Sequence, residues 1–213
     1  MTFLSINQTN MKNIYYFSTA ATKYRNFEWP SQEFTDMEDA RIKTGEKLSA
    51  DWPKITLAFE NDKKRIPDFP YFSTLFPIFS ERAVDALHDL IAPYVEFLPV
   101  EVANSEKKFW GVNVWTIYDT LDLPRCDYEQ IHRTFFIDTF AFKDDIFPEA
   151  PIFRIREISY LKIFIGQEFR DIVEKKHLTG LRFEHKMNLS TDYRCPCPPD
   201  ATECNCPRMI NKR

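Results

Sequence analysis

The sequence predicts an α+β fold, in which a single domain holds a mixed, mostly antiparallel sheet, two main helices and an irregular C-terminal tail. Two segments carry apolar residues at helical spacing. Short runs of β-branched and aromatic residues lie before and after each of them. The chain after residue 185 changes to a composition rich in proline and cysteine, which cannot build a core by itself.

The length and composition indicate one folded domain. The chain has 213 residues, of which 44% are hydrophobic and 15% aromatic. That content excludes an intrinsically disordered polyelectrolyte, because such chains bury too little apolar surface to offset their ordering entropy. We expect an N-terminal extension over residues 1–10, the domain over 11–185 and the tail over 186–213. The sequence leaves open whether Met1 or Met11 is the initiator.

The first part of the domain is less regular than the rest. An aromatic run predicts an opening strand over Ile14–Ser18, and Ile55–Phe59 is typical of a second strand. Residues 22–53 are polar and predict a long loop, with a short helix near Asp36–Lys43. Residues 61–70 form a charged connector interrupted by proline.

The first main helix is the clearest element. Ser80 is a favourable N-cap, Glu81 suits the positive helix end, and Pro93 ends the helix. The apolar positions recur at helical spacing: Ala83, Val84, Leu87, Leu90 and Ile91.

Several strands follow this helix. Val95–Val102 alternates, and Pro99 predicts that it lies at a sheet edge, because proline cannot donate to a strand ladder. Phe109–Ile117 is the strongest strand prediction, and it places Trp110 and Trp115 on opposite faces, so that one of the two is expected in the core. Three shorter strands are predicted at Phe135–Asp138, Ile152–Ile155 and Lys162–Ile165.

A second main helix over Gln167–Lys176 leads into a last strand over Leu181–Glu184. This helix and strand resemble the first helix and its strand at an offset of 86 positions, with Asp171 matching Asp85 and Phe183 matching Phe97. An internal repeat and a shared packing arrangement both explain the resemblance, and we favour the second explanation.

Composition excludes several classes of function. The chain has four glycines, and none are clustered, so no phosphate-binding loop, dinucleotide fingerprint or nucleophile elbow can be written. A net charge of −4 argues against a dedicated nucleic-acid binder. No run approaches the roughly 18 apolar residues that a membrane-spanning helix needs. The start lacks a secretory pattern, so we expect a cytoplasmic protein without a membrane partner.

The tail contains a cluster of cysteines. In an antiparallel hairpin their four sulfurs would gather on one side and could hold a structural zinc. Their spacing differs from that of zinc ribbons, however, and we favour an idle tail over zinc binding and over disulfides. No other cofactor is expected. The four candidate ligands are Cys195, Cys197, Cys204 and Cys206.

Two further groups of residues carry side chains that could act in catalysis or binding. Cys126 and His132 are close in sequence, but proximity alone does not make a catalytic pair, and we favour an ordinary thiol. Acidic residues are plentiful between Asp119 and Glu149. They are expected to form a solvated surface, with a recognition face for a basic partner as the alternative. The candidate residues for such a face are Asp119, Asp122, Asp127, Glu129, Asp144 and Asp145.

Four segments in order resemble a bacterial immunity protein family of polymorphic toxin systems, immunity protein family 11, formerly a domain of unknown function. They are MKNIYYF from Met11, FPIFSERAVDALHDLIAPYVEFLPVEV, FWGVNVWTIYDTLD, and IFIGQEFRDIVEKKHLTGLRFE, which ends at Glu184. The resemblance implies a small soluble α+β protein that binds a cognate toxin and blocks its action. It transfers no catalytic residue and does not include the cysteine-rich tail.

The leading hypothesis is therefore a non-enzymatic, cytoplasmic inhibitor of a toxin, with the six acidic candidate residues between Asp119 and Asp145 as its contacts. Two alternatives stay open. One is an enzyme with an unrecognised site, and the other is a metal-dependent interaction module that acts through the tail. The sequence leaves open the oligomeric state and the identity of the toxin.

Overall fold

The computed structural model describes residues 13–60, 64–131, 134–143, 148–158, 160–184 and 186–189. In chain order the named elements are β1 (Ile14–Tyr16), β2 (Ser18–Thr19), α1 (Gln32–Met37), β3 (Ile55–Leu57), β4 (Ile78–Ser80), α2 (Glu81–Ile91), β5 (Val95–Val102), β6 (Phe109–Val114), β7 (Ile117–Tyr118), β8 (Asp127–Ile131), β9 (Thr134–Thr139), β10 (Ile152–Ile155), β11 (Phe164–Gly166), α3 (Gln167–Lys175) and β12 (Leu181–Arg182). The predicted α+β class with two main helices is confirmed. The tail from residue 190 onward lies outside the described residues.

The strands form two four-stranded sheets and two two-stranded sheets. The first large sheet has the order β3-β5-β6-β4, and the second has the order β1-β11-β10-β7. Only the β3–β5 and β7–β10 pairings are parallel among those of the named strands. The pairing is therefore mostly antiparallel, as predicted. In the part of the chain that the structure describes, no helix has the length and apolar character needed to cross a membrane.

The prediction that β5 is an edge strand is wrong. β5 lies between β3 and β6 and is paired along both sides. The parallel strand β3 covers only its last residues, Val100 to Val102, so the missing donor of Pro99 falls just before that pairing begins. The Pro99 carbonyl accepts a hydrogen bond from the indole nitrogen of Trp52 at 2.9 Å.

Both faces of the first sheet are covered. Val112 and Val114 on one face pack in a cluster with α2 and α3, where Leu87 and Phe169 are fully buried. On the other face, Phe109 belongs to a second cluster with α1 and the loops around it. The alternation predicted for Phe109–Ile117 is thus confirmed, although the chain leaves the sheet after Val114 and continues as β7 in the second sheet.

The prediction that one of two tryptophans is in the core is wrong. Trp110 and Trp115 are both half-buried. Trp115 follows the last residue of β6, and the Lys47 ammonium lies 4.2 Å from the centre of its ring. Phenylalanines fill most of the core instead. Eight of the twelve largest fully buried side chains are phenylalanines, and the other four are Arg154, two isoleucines and one leucine.

The two main helices repeat one local arrangement. β4 leads directly into α2, and β11 leads directly into α3, so that each helix begins one residue after its strand ends. The strand bounds differ by the same 86 positions that relate the two segments in sequence. Ser80 accepts a hydrogen bond from the Ala83 N–H at 3.2 Å, which confirms the predicted N-cap of α2.

Candidate partner-binding surface

The β8–β9 hairpin is the most exposed strand pair of the described structure. Its antiparallel register places Glu129 opposite Phe136 and Ile131 opposite Thr134, with an irregularity between Asp127 and Tyr128. All five residues of β8 are exposed. On its other side, β8 has no strand partner among the described residues. The hairpin therefore presents both a face and a strand edge.

One face of the hairpin attaches it to the domain. Ile137 is buried in a cluster with residues of the second large sheet, and Phe135 packs against the same cluster. The rings of Tyr128 and Phe135 meet edge to face with their centres 5.5 Å apart. These contacts determine which face of the hairpin packs on the domain. Because successive side chains of a strand point to opposite faces, the remaining side chains then lie on the outer face.

The other face carries apolar side chains outward. Ile131 is 47% exposed and Phe136 is 49% exposed. Tyr128 is 41% exposed, but it lies opposite Ile137 and so belongs to the attached face. Among the described residues only Trp29 is a further large hydrophobic with such exposure. Directly opposed residues lie on the same face, so Glu129 lies beside Phe136. An apolar centre next to carboxylates is the composition typical of a protein-binding surface.

The predicted acidic residues occupy different parts of this region. Asp127 and Glu129 lie on β8 and are exposed. Asp119 and Asp122 lie at the base of the hairpin, where the Asp122 N–H donates to the Ala141 carbonyl at 2.9 Å. Asp144 and Asp145 lie outside the described residues.

Asp119 is already paired with two cations. Its carboxylate lies 3.0 Å from the Lys143 ammonium and 3.2 Å from the Arg156 guanidinium. The hydrogen bond from Lys143, with the charge of Arg156 added, holds the pKa of the Asp119 carboxyl below its ordinary value. Asp122 is half-buried and lies 3.6 Å from Arg125. Asp119 and Asp122 therefore both lie close to cations of the same chain.

The exposed apolar residues of the hairpin are missing from the sequence prediction. The prediction includes a strand at Phe135–Asp138 but none at Asp127–Ile131. Two residues separate the strands, which is a hairpin signal, but His132 and Arg133 are not among the usual turn residues. Periodicity gave no clear signal either, because Glu129 and Gln130 are consecutive polar residues and interrupt the alternation.

The geometry around Cys126 opposes a nucleophilic role. The thiol is 5% exposed and lies 3.2 Å from the Asp122 carbonyl, to which it donates. It also accepts a hydrogen bond from the Ala141 N–H at 3.3 Å. Burial raises the pKa of the Cys126 thiol, so the reactive thiolate is disfavoured. Its suggested partner His132 lies outside the described residues.

Metal binding by the tail stays a prediction. Cys195, Cys197, Cys204 and Cys206 all lie outside the described residues. Within the residues that the structure does describe, no three metal-ligating side chains come together.

The sequence was compared with models of protein families and with proteins of curated function. The family model described as immunity protein family (Imm11) matches residues 7–187, which include every named strand and helix. No protein of curated function matches the chain.

Proposed function

The chain belongs to the immunity protein family Imm11, and we propose that it neutralises a cognate bacterial toxin of a polymorphic toxin system by binding it in the cytoplasm. The family match over most of the chain supports this proposal. A binding inhibitor needs a stable scaffold and a complementary surface, and it needs no chemistry of its own. The Cys126 thiol is buried, and burial raises its pKa, so it is poorly placed to act as a nucleophile.

We place the toxin contact on the β8–β9 hairpin. The observation that carries this assignment is the exposure of Ile131 and Phe136 on the outer face of one small two-stranded sheet. Aromatic and large aliphatic side chains at the centre of an interface supply most of its binding energy. A segment of the toxin could also pair with the outer edge of β8, since main-chain hydrogen bonds add affinity in such complexes.

The acidic residues supply charge complementarity in this proposal. Asp127 and Glu129 lie on the exposed strand, and Asp119 and Asp122 lie at its base. Asp144 and Asp145 stay candidate contacts from the sequence alone. Opposite charges across an interface raise the association rate and select against wrong partners. If the toxin is a nuclease, its basic substrate groove is the complementary surface.

The test is co-expression with the toxin encoded next to this gene. The wild-type protein should restore growth, and the double variant Ile131→Ser/Phe136→Ser should fail to do so. We expect its affinity for the toxin, measured by biolayer interferometry, to fall by about 30-fold or more, as for the loss of interface hot spots. The charge variant Asp127→Asn/Glu129→Gln should mainly slow association, and the slowing should diminish at high salt.

Two control variants remove similar groups elsewhere. Trp29→Ser removes the other exposed large hydrophobic, and Asp85→Asn/Glu106→Gln removes two exposed carboxylates outside the hairpin. Both should neutralise the toxin like the wild type. Equal neutralisation by a folded hairpin variant would refute the assigned surface. Equal toxicity with and without the wild-type gene would refute the immunity function itself.

A further inference from the structure

A positively charged cleft lies apart from the β8–β9 hairpin. It has a volume of about 560 Å³ and lies between the N-terminal end of α2, the loop before β6 and the segment before Phe69. Six of its lining residues are cationic, against two carboxylates, although the whole chain has a net charge of −4. The six are Arg25, Lys64, Arg65, Arg82, Lys107 and Lys108.

Both carboxylates of the cleft are already engaged. Asp68 accepts hydrogen bonds from the Ser80 hydroxyl at 3.0 Å, from Arg82 at 3.0 Å, and from the backbone and hydroxyl of Thr179 at 2.7 and 2.9 Å. Glu81 lies 3.3 Å from the Lys108 ammonium. Counted over the lining residues, six cations against two carboxylates leave an excess of positive charge.

The remaining cations come from distant parts of the sequence. The Arg25 N–H donates to the Arg65 carbonyl at 3.1 Å, which places the two residues on neighbouring stretches of backbone. The Arg25 Nε is held by the Glu60 carbonyl at 2.8 Å, and its guanidinium lies over the ring of Phe59. Arg65 and Lys107 are exposed, and neither forms an ion pair with another described residue. Like charges gathered in this way repel one another, and bound negative charge would offset that repulsion.

Two further features suit a compact anion. Ser80 and Glu81 at the start of α2 belong to the lining, so the N-terminal end of that helix, which carries partial positive charge, borders the cleft. The volume lies within the range of about 300–1,000 Å³ that is usual for small-molecule sites. Ile66 and Phe109 add an apolar part to the wall.

We propose that this cleft binds a compact phosphate compound with several negative charges, such as a nucleotide or an inorganic polyphosphate. Cations from four separate segments converge on one concave volume, which fits a small polyanion better than an extended acidic chain. Guanidinium and ammonium groups are the side chains that recognise phosphate oxygens best. This site is separate from the proposed toxin contact and does not depend on it.

The test is isothermal titration of the purified full chain with tripolyphosphate and, separately, with ATP. The salt should be about 0.15 M, where the screening length is about 8 Å and only local contacts persist. We expect one binding site, and an affinity that falls at least tenfold in the variant Arg65→Ser/Lys107→Ser. The control variant Lys54→Ser/Lys175→Ser removes the same charge outside the cleft and should bind like the wild type.

The two ligands separate the sources of the phosphate chemistry. Similar affinities mean that the phosphate chain alone is recognised, whereas tighter binding of ATP means that the nucleoside contacts the apolar wall. Binding of neither ligand overturns the proposal. So does an equal loss of affinity in the cleft variant and the control variant, because general charge would then account for the binding.

Discussion

At the scale of single residues, the backbone leaves little freedom at a few positions. Gly111 on β6 faces the ring of Phe76 so closely that an added Cβ would lie 2.0 Å from two ring atoms. A glycine is therefore required there by packing. At His177, by contrast, the backbone favours glycine but the residue has a side chain. His177 follows α3 and has a φ of 49°. The hydrogen bonds of the Leu178 and His177 N–H groups to the Val173 and Glu174 carbonyls fix this left-handed turn.

His177→Gly should therefore stabilise the protein. Glycine adopts a positive φ without the steric cost of a Cβ, and we expect the free energy of unfolding to rise by about 0.5–1 kcal/mol. Urea denaturation monitored by circular dichroism measures this change. Lys175→Gly, two residues earlier in the helix, should lower it by about 1 kcal/mol. A destabilised His177→Gly variant would contradict the argument.

At the scale of elements, α2 and α3 are entered in the same way but capped differently. Ser80 and Gly166 both have extended backbone at the N-cap, and only Ser80 supplies a side-chain hydrogen bond. Space for a side chain exists at Gly166, because an added Cβ would lie 3.7 Å from the nearest atom. The second helix thus lacks an interaction that its geometry permits.

Gly166→Ser should supply the missing cap. A serine hydroxyl can accept a hydrogen bond from the N–H two or three residues later, and N-caps of this kind contribute about 0.5–2 kcal/mol relative to alanine. We expect Gly166→Ser to be more stable than Gly166→Ala by about 1 kcal/mol. Both variants fill the same space, so their difference in thermal or urea unfolding isolates the cap. Equal stability of the two would show that no cap forms.

At the scale of the whole molecule, the carboxylate of Asp68 connects the start of α2 to the chain that follows α3. Asp68 is 8% exposed and binds Ser80 and Arg82 at the start of α2 as well as Thr179 after α3. Arg82 in turn donates to the carbonyls of Lys176 and His177 at the end of α3. The same network forms one wall of the cationic cleft.

Asp68→Ala should be strongly destabilising. It leaves the half-buried donors of Ser80 and Thr179 and the guanidinium of Arg82 without this acceptor, and we expect the free energy of unfolding to fall by about 2–4 kcal/mol. Asp85→Ala, at an exposed position on α2, should change it by less than about 0.5 kcal/mol. Urea unfolding of the two variants gives the comparison. If the unfolding free energies of the two variants differ by less than about 1 kcal/mol, the hydrogen bonds of Asp68 contribute little net stability, and the argument is wrong.

Much of the secondary structure was predictable because its causes are local. The Ser80 cap, the apolar spacing of α2 and α3 and the alternation in β6 are properties of a few neighbouring residues. Predictions failed where distant segments decide the outcome. Pro99 indicated an edge strand, yet β3 pairs with β5 just beyond it. Trp115 is half-buried because the chain leaves the first sheet after Val114, so this residue no longer lies on the face that it was expected to fill. Trp110 lies within β6 and is half-buried as well.

The sequence by itself determined the α+β class, the two main helices and membership of an immunity protein family. Only the tertiary structure decided that Ile131 and Phe136 are exposed together on one hairpin. It alone brought Arg25, Arg65 and Lys107 to one cleft. Caps and periodicity act over a few residues, whereas exposure and the meeting of separate segments depend on how the entire chain packs.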